Sequence, residues 1–164
     1  MIISLKKKQT LQVGQFNFKC CIGKNGLTSK KIEGDNKTPI GTYGLEHLYY
    51  RKDRIKIPQN NLKSIKIKPE MGWCDDPSNK IKYNKLIDIN DDIHCEKIYR
   101  KDYKYDLFIP IKYNFYKKIP GKGSCIFIHL TKDYKPTAGC IALKQKDFLI
   151  MLKLINRSTK IKIY

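Results

Sequence analysis

"SCIFIHLTKDYKPTAGCIAL", residues 124–143, is the stretch on which the reading of this chain turns. An apolar run leads into His129, the chain turns through charged residues and Pro136, and it ends with Cys140 set against Gly139. Successive side chains of a strand point to opposite faces, so Cys125, Phe127 and His129 share one face while Ile126 and Ile128 share the other. His129 then stands at a strand end, where the following turn can bring Cys140 opposite it. A thiolate is a nucleophile, and a nearby imidazole can take its proton and return it to a leaving amine. Gly139 suits a place where backbone N–H groups approach a developing oxyanion with no side chain in the way. The same residues also fit a core histidine and a buried thiol, and spacing alone does not separate the two readings.

Composition narrows the field. A chain of 164 residues with 41% hydrophobic side chains is expected to form one globular domain, 1–164, with a core of its own. No apolar run is long enough to cross a bilayer, so no transmembrane segment is expected. The opening "MIISLKKKQT" is basic but lacks the apolar core and cleavage site of a secretory signal.

The net charge of +19 draws any chain toward polyanions. Here it is nearly all lysine, with arginine only at Arg51, Arg54, Arg100 and Arg157. Isoleucine, asparagine and tyrosine are abundant too, the pattern of an AT-rich coding sequence. A basic nucleic-acid-binding module stays as a distant alternative, without a recognisable motif behind it, and no specific nucleic-acid partner is expected. Alanine occurs only at Ala138 and Ala142, on either side of Gly139-Cys140-Ile141. Either a packed position needs a small side chain there, or the space beside the thiol must stay open for a substrate.

The six cysteines, Cys20, Cys21, Cys74, Cys95, Cys125 and Cys140, show no C-x-x-C spacing, and the adjacent pair cannot readily bridge to itself. Cys140, Cys95, His94 and His129 lack the spacing of a zinc site, and no metal or organic cofactor is expected. Most of these thiols read as small buried hydrophobes, and reduced cysteines fit a cytosolic compartment better than a secreted one.

Strand signals dominate the remainder. Residues 11–23 alternate and end at Gly23, 38–50 form a second extended run after a Gly34-Asp35-Asn36 turn, and "NNLKSIKIK" alternates at Ile65 and Ile67. "YDLFIPIKYN" (105–114) and "SCIFIHL" (124–130) read as central strands. In 144–156, Phe148, Leu149, Leu152 and Ile155 fall at helical spacing, and "KIKIY" reads as a last strand. The expected architecture is a mainly β domain with one late helix.

"IFIHLTKDYKPTAGCIAL" resembles the catalytic segment of the L,D-transpeptidase (YkuD-type) family, in which a strand histidine precedes a small-x-Gly-Cys-hydrophobic motif. "GDNKTPIGTYGL" (34–45) is similar to the family's entry strand, and "GWCDDPSNKIKYNKLI" (72–87) and "YRKDYKYDLFIPIKYN" (99–114) are similar to blocks of a compact subgroup lacking an obvious signal peptide. The resemblance spans about residues 11–155. It implies a catalytic β-sandwich with a helix packed after the cysteine, and acyl transfer between peptidoglycan stem peptides, donor and acceptor, through a Cys140 thioester. Carbapenem-type inhibitors would be covalent ligands of the same thiol. Water in place of the acceptor amine would make the enzyme an L,D-carboxypeptidase. The substrate implies work in the periplasm; cytoplasmic action on recycled stem peptides is the alternative. Nothing in the sequence speaks to oligomeric state.

The family's common motif has a histidine before the glycine and an arginine or asparagine two residues after the cysteine; Ala138 and Ala142 stand there instead. His129 is then the base, expected to be oriented through a backbone carbonyl. Substrate carboxylates must be met from other blocks. Arg100 has the best fork for this, with Tyr83 and Asn84 as further candidates, although surface placement of all three fits equally. Trp73, beside Gly72 and Asp75, either walls the cleft or lies in the core under a loop. Asp75 and Asp76 before Pro77 also suit a turn. Thr137 completes the candidate substrate-binding set.

Overall fold

The computed structural model describes residues 1–6 and 9–164. Fifteen strands run in chain order: β1 (Ile2–Lys6), β2 (Thr10–Val13), β3 (Phe16–Cys21), β4 (Leu27–Thr28), β5 (Thr38–Pro39), β6 (Gly41–Gly44), β7 (Leu48–Tyr50) and β8 (Ser64–Lys66), followed by β9 (Met71–Cys74), β10 (Leu86–Asp88), β11 (Cys95–Lys97), β12 (Leu107–Pro110), β13 (Phe127–Leu130), β14 (Ile141–Leu143) and β15 (Lys160–Ile163). Among the described residues one α-helix, α1 (Gln145–Leu154), comes late, as its apolar spacing requires. Ten strands form one sheet in the order β6-β15-β1-β2-β3-β14-β13-β12-β7-β8, and β10-β9-β11 form a second.

The central strands β12, β13 and β14 are buried throughout because both of their faces meet a core. Leu107 and Ile109, Ile128 and Leu130, and Ile141 and Leu143 face one cluster, which Phe148, Met151 and Leu152 of α1 complete. Phe108 and Phe127 point the other way, into an aromatic cluster with Tyr49, Trp73 and Tyr105. Each fully buried side chain of this size contributes about 1.5–3 kcal/mol. Helix, large sheet and small sheet are thus layered around β13, and the alternation read from its sequence holds in three dimensions.

Two extended runs are more divided than their patterns imply. Residues 11–23 belong to a hairpin, because Gly14 takes φ +58° and turns the chain so that Val13 pairs with Phe16. The run 38–50 is split among β5, β6 and β7, which pair with β4, with β15, and with β12 and β8. β13 begins at Phe127 because Cys125 adopts φ +53°, outside strand geometry.

β13 and β14 are parallel neighbours, with Ile128 opposite Ile141 and His129 opposite Ala142. Parallel neighbours usually need a helical crossover of a dozen or more residues. Here residues 131–140 return without one, pinned by Thr131 Oγ1 accepting the Tyr134 N–H at 3.0 Å.

Candidate active site

This short return places Cys140 and His129, the candidate nucleophile and base. Cys140 immediately precedes Ile141, so the register sets it level with Phe127 and one diagonal step from His129 on the same face. Both open onto a cavity of about 490 Å³ that Thr137, Ala138 and Ala142 also line. Both alanines border this cavity, and Ala142 is also fully buried, so the small side chains there serve packing and open space alike.

His129 Nδ1 lies 2.9 Å from the Leu130 carbonyl, which makes Nδ1 the protonated nitrogen and leaves the Nε2 lone pair free to act as base. The expected backbone carbonyl is thus Leu130's. Tyr105 stands edge-on to the imidazole, with ring centroids 5.4 Å apart. Burial holds the His129 pKa down to about 4, against the opposing pull of the Leu130 carbonyl. Burial also pushes the Cys140 thiol up to about 12, helped by the Glu96 carboxylate and opposed by the Phe127 N–H. The thiol donates to the Cys125 carbonyl at 3.1 Å and accepts from the Phe127 N–H at 3.3 Å. Among the described residues no hydrogen bond joins thiol and imidazole; the thiol is bonded to the Cys125 carbonyl and the Phe127 N–H instead.

Gly139 is fixed from both sides. Thr38 Oγ1 accepts the Gly23 N–H at 2.9 Å and donates to the Gly139 carbonyl at 2.8 Å. Thr137 Oγ1 accepts the Gly139 N–H at 3.1 Å and donates to the Cys140 carbonyl at 2.6 Å. At φ +145° a side chain is strained, and a Cβ would stand 2.9 Å from the Lys37 carbonyl oxygen, so glycine is required. Two sequence expectations change here. The Gly139 N–H is already engaged by Thr137, and the Thr137 hydroxyl is spent on backbone although it lines the cavity.

Of the remaining candidates, Arg100 and Asp75 line the cavity. Arg100 gives Nε and Nη2 to Asp102 at 2.9 and 2.7 Å, and Asp75 Oδ1 lies 2.7 Å from Nδ1 of exposed His94. Trp73, Tyr83 and Asn84 do not line it, which corrects their assignment to substrate. Trp73 is a core aromatic packed edge-on against Phe127, and the Tyr83 hydroxyl donates to Glu33. Asn84 is 4% exposed and fully spent: Oδ1 accepts Trp73 Nε1–H and the Cys125 N–H, while Nδ2 donates to the carbonyls of Tyr113 and Asn114. Its amide holds the αL residue, Cys125, whose carbonyl receives the Cys140 thiol.

The sequence reading missed Lys31, Glu33, Glu96, Tyr105 and Ser124, all on the cavity wall. Glu96 accepts from Tyr105, and burial raises the pKa of both. Glu33 accepts from Ser124 as well as Tyr83. One signal was available: carboxylates are scarce in so basic a chain, so each one flanking a motif is an exception.

Residues 1–163 match the family model of the YkuD L,D-transpeptidase catalytic domain. The chain belongs to this family. Its fold is similar to that of the helical cell shape determining protein Pgp2 from Campylobacter jejuni, with a TM-score of 0.54 and 21% identity over 99% of this chain and 46% of that one. It is also similar to Bdellovibrio bacteriovorus Bd1075, with a TM-score of 0.50 and 17% identity over 99% of this chain and 47% of that one. The domain therefore spans just under half the length of each. No curated protein matches the chain. YkuD domains carry L,D-transpeptidase-type activity on the stem peptides of peptidoglycan, typically in the periplasm. Among the described residues no helix is long and apolar enough to cross a membrane.

Proposed function

We propose that this domain is a cysteine acyltransferase that joins or remodels peptidoglycan stem peptides through a thioester on Cys140. The observation that carries the reading is that His129 on β13 and Cys140, immediately before its parallel neighbour β14, share one face and line one cavity. A donor peptide amide enters over Ala138 and Ala142. The thiol leaves the Cys125 carbonyl and turns to His129, whose Nε2 takes its proton as sulfur attacks the amide carbon. The oxyanion is received by the Cys140 N–H, with the Gly139 N–H joining if Thr137 releases it. Collapse expels the amine, which takes the proton back from His129, and the acyl group remains on sulfur. An acceptor amine then attacks the thioester, gives its proton to His129 and restores the thiol. Arg100, with Asp102 fixing one edge of its fork, offers Nη1 to a substrate carboxylate.

The test is intact-mass spectrometry after incubation with a stem tetrapeptide or a carbapenem. A covalent adduct is expected in the native protein and none in a folded Cys140→Ala variant. Adduct formation at the wild-type level in Cys140→Ala rejects the reading. Muropeptide products then separate transfer from hydrolysis, since dimers report an amine acceptor and trimmed monomers report water. The substrate places the work in the periplasm, which cell fractionation checks.

A further inference from the structure

In a chain where lysine is the default surface residue, Lys31 is the one buried lysine among the described residues, 5% exposed. Burying a cation is costly, and side chains pay it only where partners fix the charge. Two glycines leave room for this one. A Cβ at Gly123 would lie 2.7 Å from Lys31 Cγ, and a Cβ at Gly139 would lie 3.7 Å from Nζ. The stem therefore runs across Gly123 and its head ends against the residue before the nucleophile, on the wall of the catalytic cavity.

Partners hold the head in place. Nζ donates to the Ile32 carbonyl at 3.2 Å and to Asp35 Oδ1. Asp35 is itself held by the N–H groups of Ile32, at 3.0 Å, and Lys37, at 2.8 Å. An ammonium has three donors, and two are used. Glu33, the carboxylate that also lines this end, is engaged by Tyr83 and Ser124. Ala138 and Ala142 offer an anion nothing, and Arg100 already has Asp102 on one edge of its fork.

We infer that Lys31 forms an anion subsite beside Cys140, its third N–H taking a carboxylate carried within a few bonds of the substrate carbonyl. The identity of that anion as a stem-peptide carboxylate rests on the acyl-transfer reading; the subsite itself does not.

Alkylation tests it without turnover. Native protein is treated in parallel with iodoacetate and iodoacetamide, which differ in charge, and labelling is read by peptide mass spectrometry with half-buried Cys95 as the internal reference. The iodoacetate-to-iodoacetamide ratio at Cys140 is expected to exceed that at Cys95, to fall about tenfold in Lys31→Met and to persist in Lys31→Arg. Asp35→Asn, which frees Lys31 of its counter-charge, is expected to raise the ratio. An equal ratio in wild type and Lys31→Met, or equal loss with both reagents, overturns the subsite. If circular dichroism shows Lys31→Met unfolded, Asp35→Asn decides, and an unchanged ratio there overturns it. Failure of the stem-peptide adduct would reject acyl transfer and leave this test intact.

Discussion

With the Cys140 thiol pushed up to about 12 and His129 held down to about 4, the resting pair carries no charge at neutral pH. In the proposed reaction the proton moves only when a carbonyl is present to receive the sulfur. The thiolate absorbance of wild type minus Cys140→Ala should therefore show no step between about pH 4 and neutrality; a step there would establish a preformed thiolate–imidazolium pair. Losing one charge-assisted contact to a carboxylate costs about 1.5–3 kcal/mol, so Arg100→Ala should lower kcat/KM for stem peptides roughly ten- to a hundredfold. Unchanged kcat/KM would leave recognition to other residues. The juxtaposition of Cys140 and His129 was legible because both lie in one stretch whose alternation fixes their faces. Asn84 and Tyr83 were misread because a polar side chain's destination is set by long-range packing. The four bonds of Asn84 reach residues 73, 113, 114 and 125, which no local pattern joins. Lys31 was invisible for the opposite reason, since its chemistry matches that of its exposed neighbours and only packing sets it apart.

At the scale of elements, β13 and α1 follow from period alone: alternate residues of one and the i, i+3, i+4 residues of the other face the same core. The small sheet was not legible. Its strands are only three or four residues long, too short for a period to show, and they are defined by pairing across β9. One tie between that sheet and the candidate site is Asn84, which bonds Trp73 of β9 and the residue two before β13. Asn84→Ala strands two buried donors and two carbonyls, and should destabilise the fold by about 2–4 kcal/mol in urea unfolding. A loss within about 0.5 kcal/mol would mean that water replaces the amide without penalty. Because the amide also fixes the Cys125 carbonyl that receives the thiol, stability and thiol orientation meet at this one residue.

For the molecule as a whole, buried His129 links stability to pH. Its folded pKa lies below the unfolded value, so the unfolded chain binds more protons between about pH 6.5 and 4. Stability is present above that window, falls as pH drops through it and is flat below it with respect to this group. The loss is on the order of 3 kcal/mol, and urea unfolding of His129→Gln against wild type should show it missing from the variant. Parallel pH curves for the two would place the acid sensitivity elsewhere. The sheet order has a different consequence. β15 lies between β1 and β6, pairing Ile2 with Lys160 on one side and Gly41 with Ile163 on the other. The place beside the edge strand β6 is thus filled by the last strand, which β1 pairs across nearly the full length of the chain. Folding must close that loop to join β1 to β15, which puts this domain among slow folders of high contact order, on a scale of milliseconds to seconds. Until that closure, β1 and the β15-facing side of β6 stand open, and the route to the native state is where this protein is exposed to aggregation.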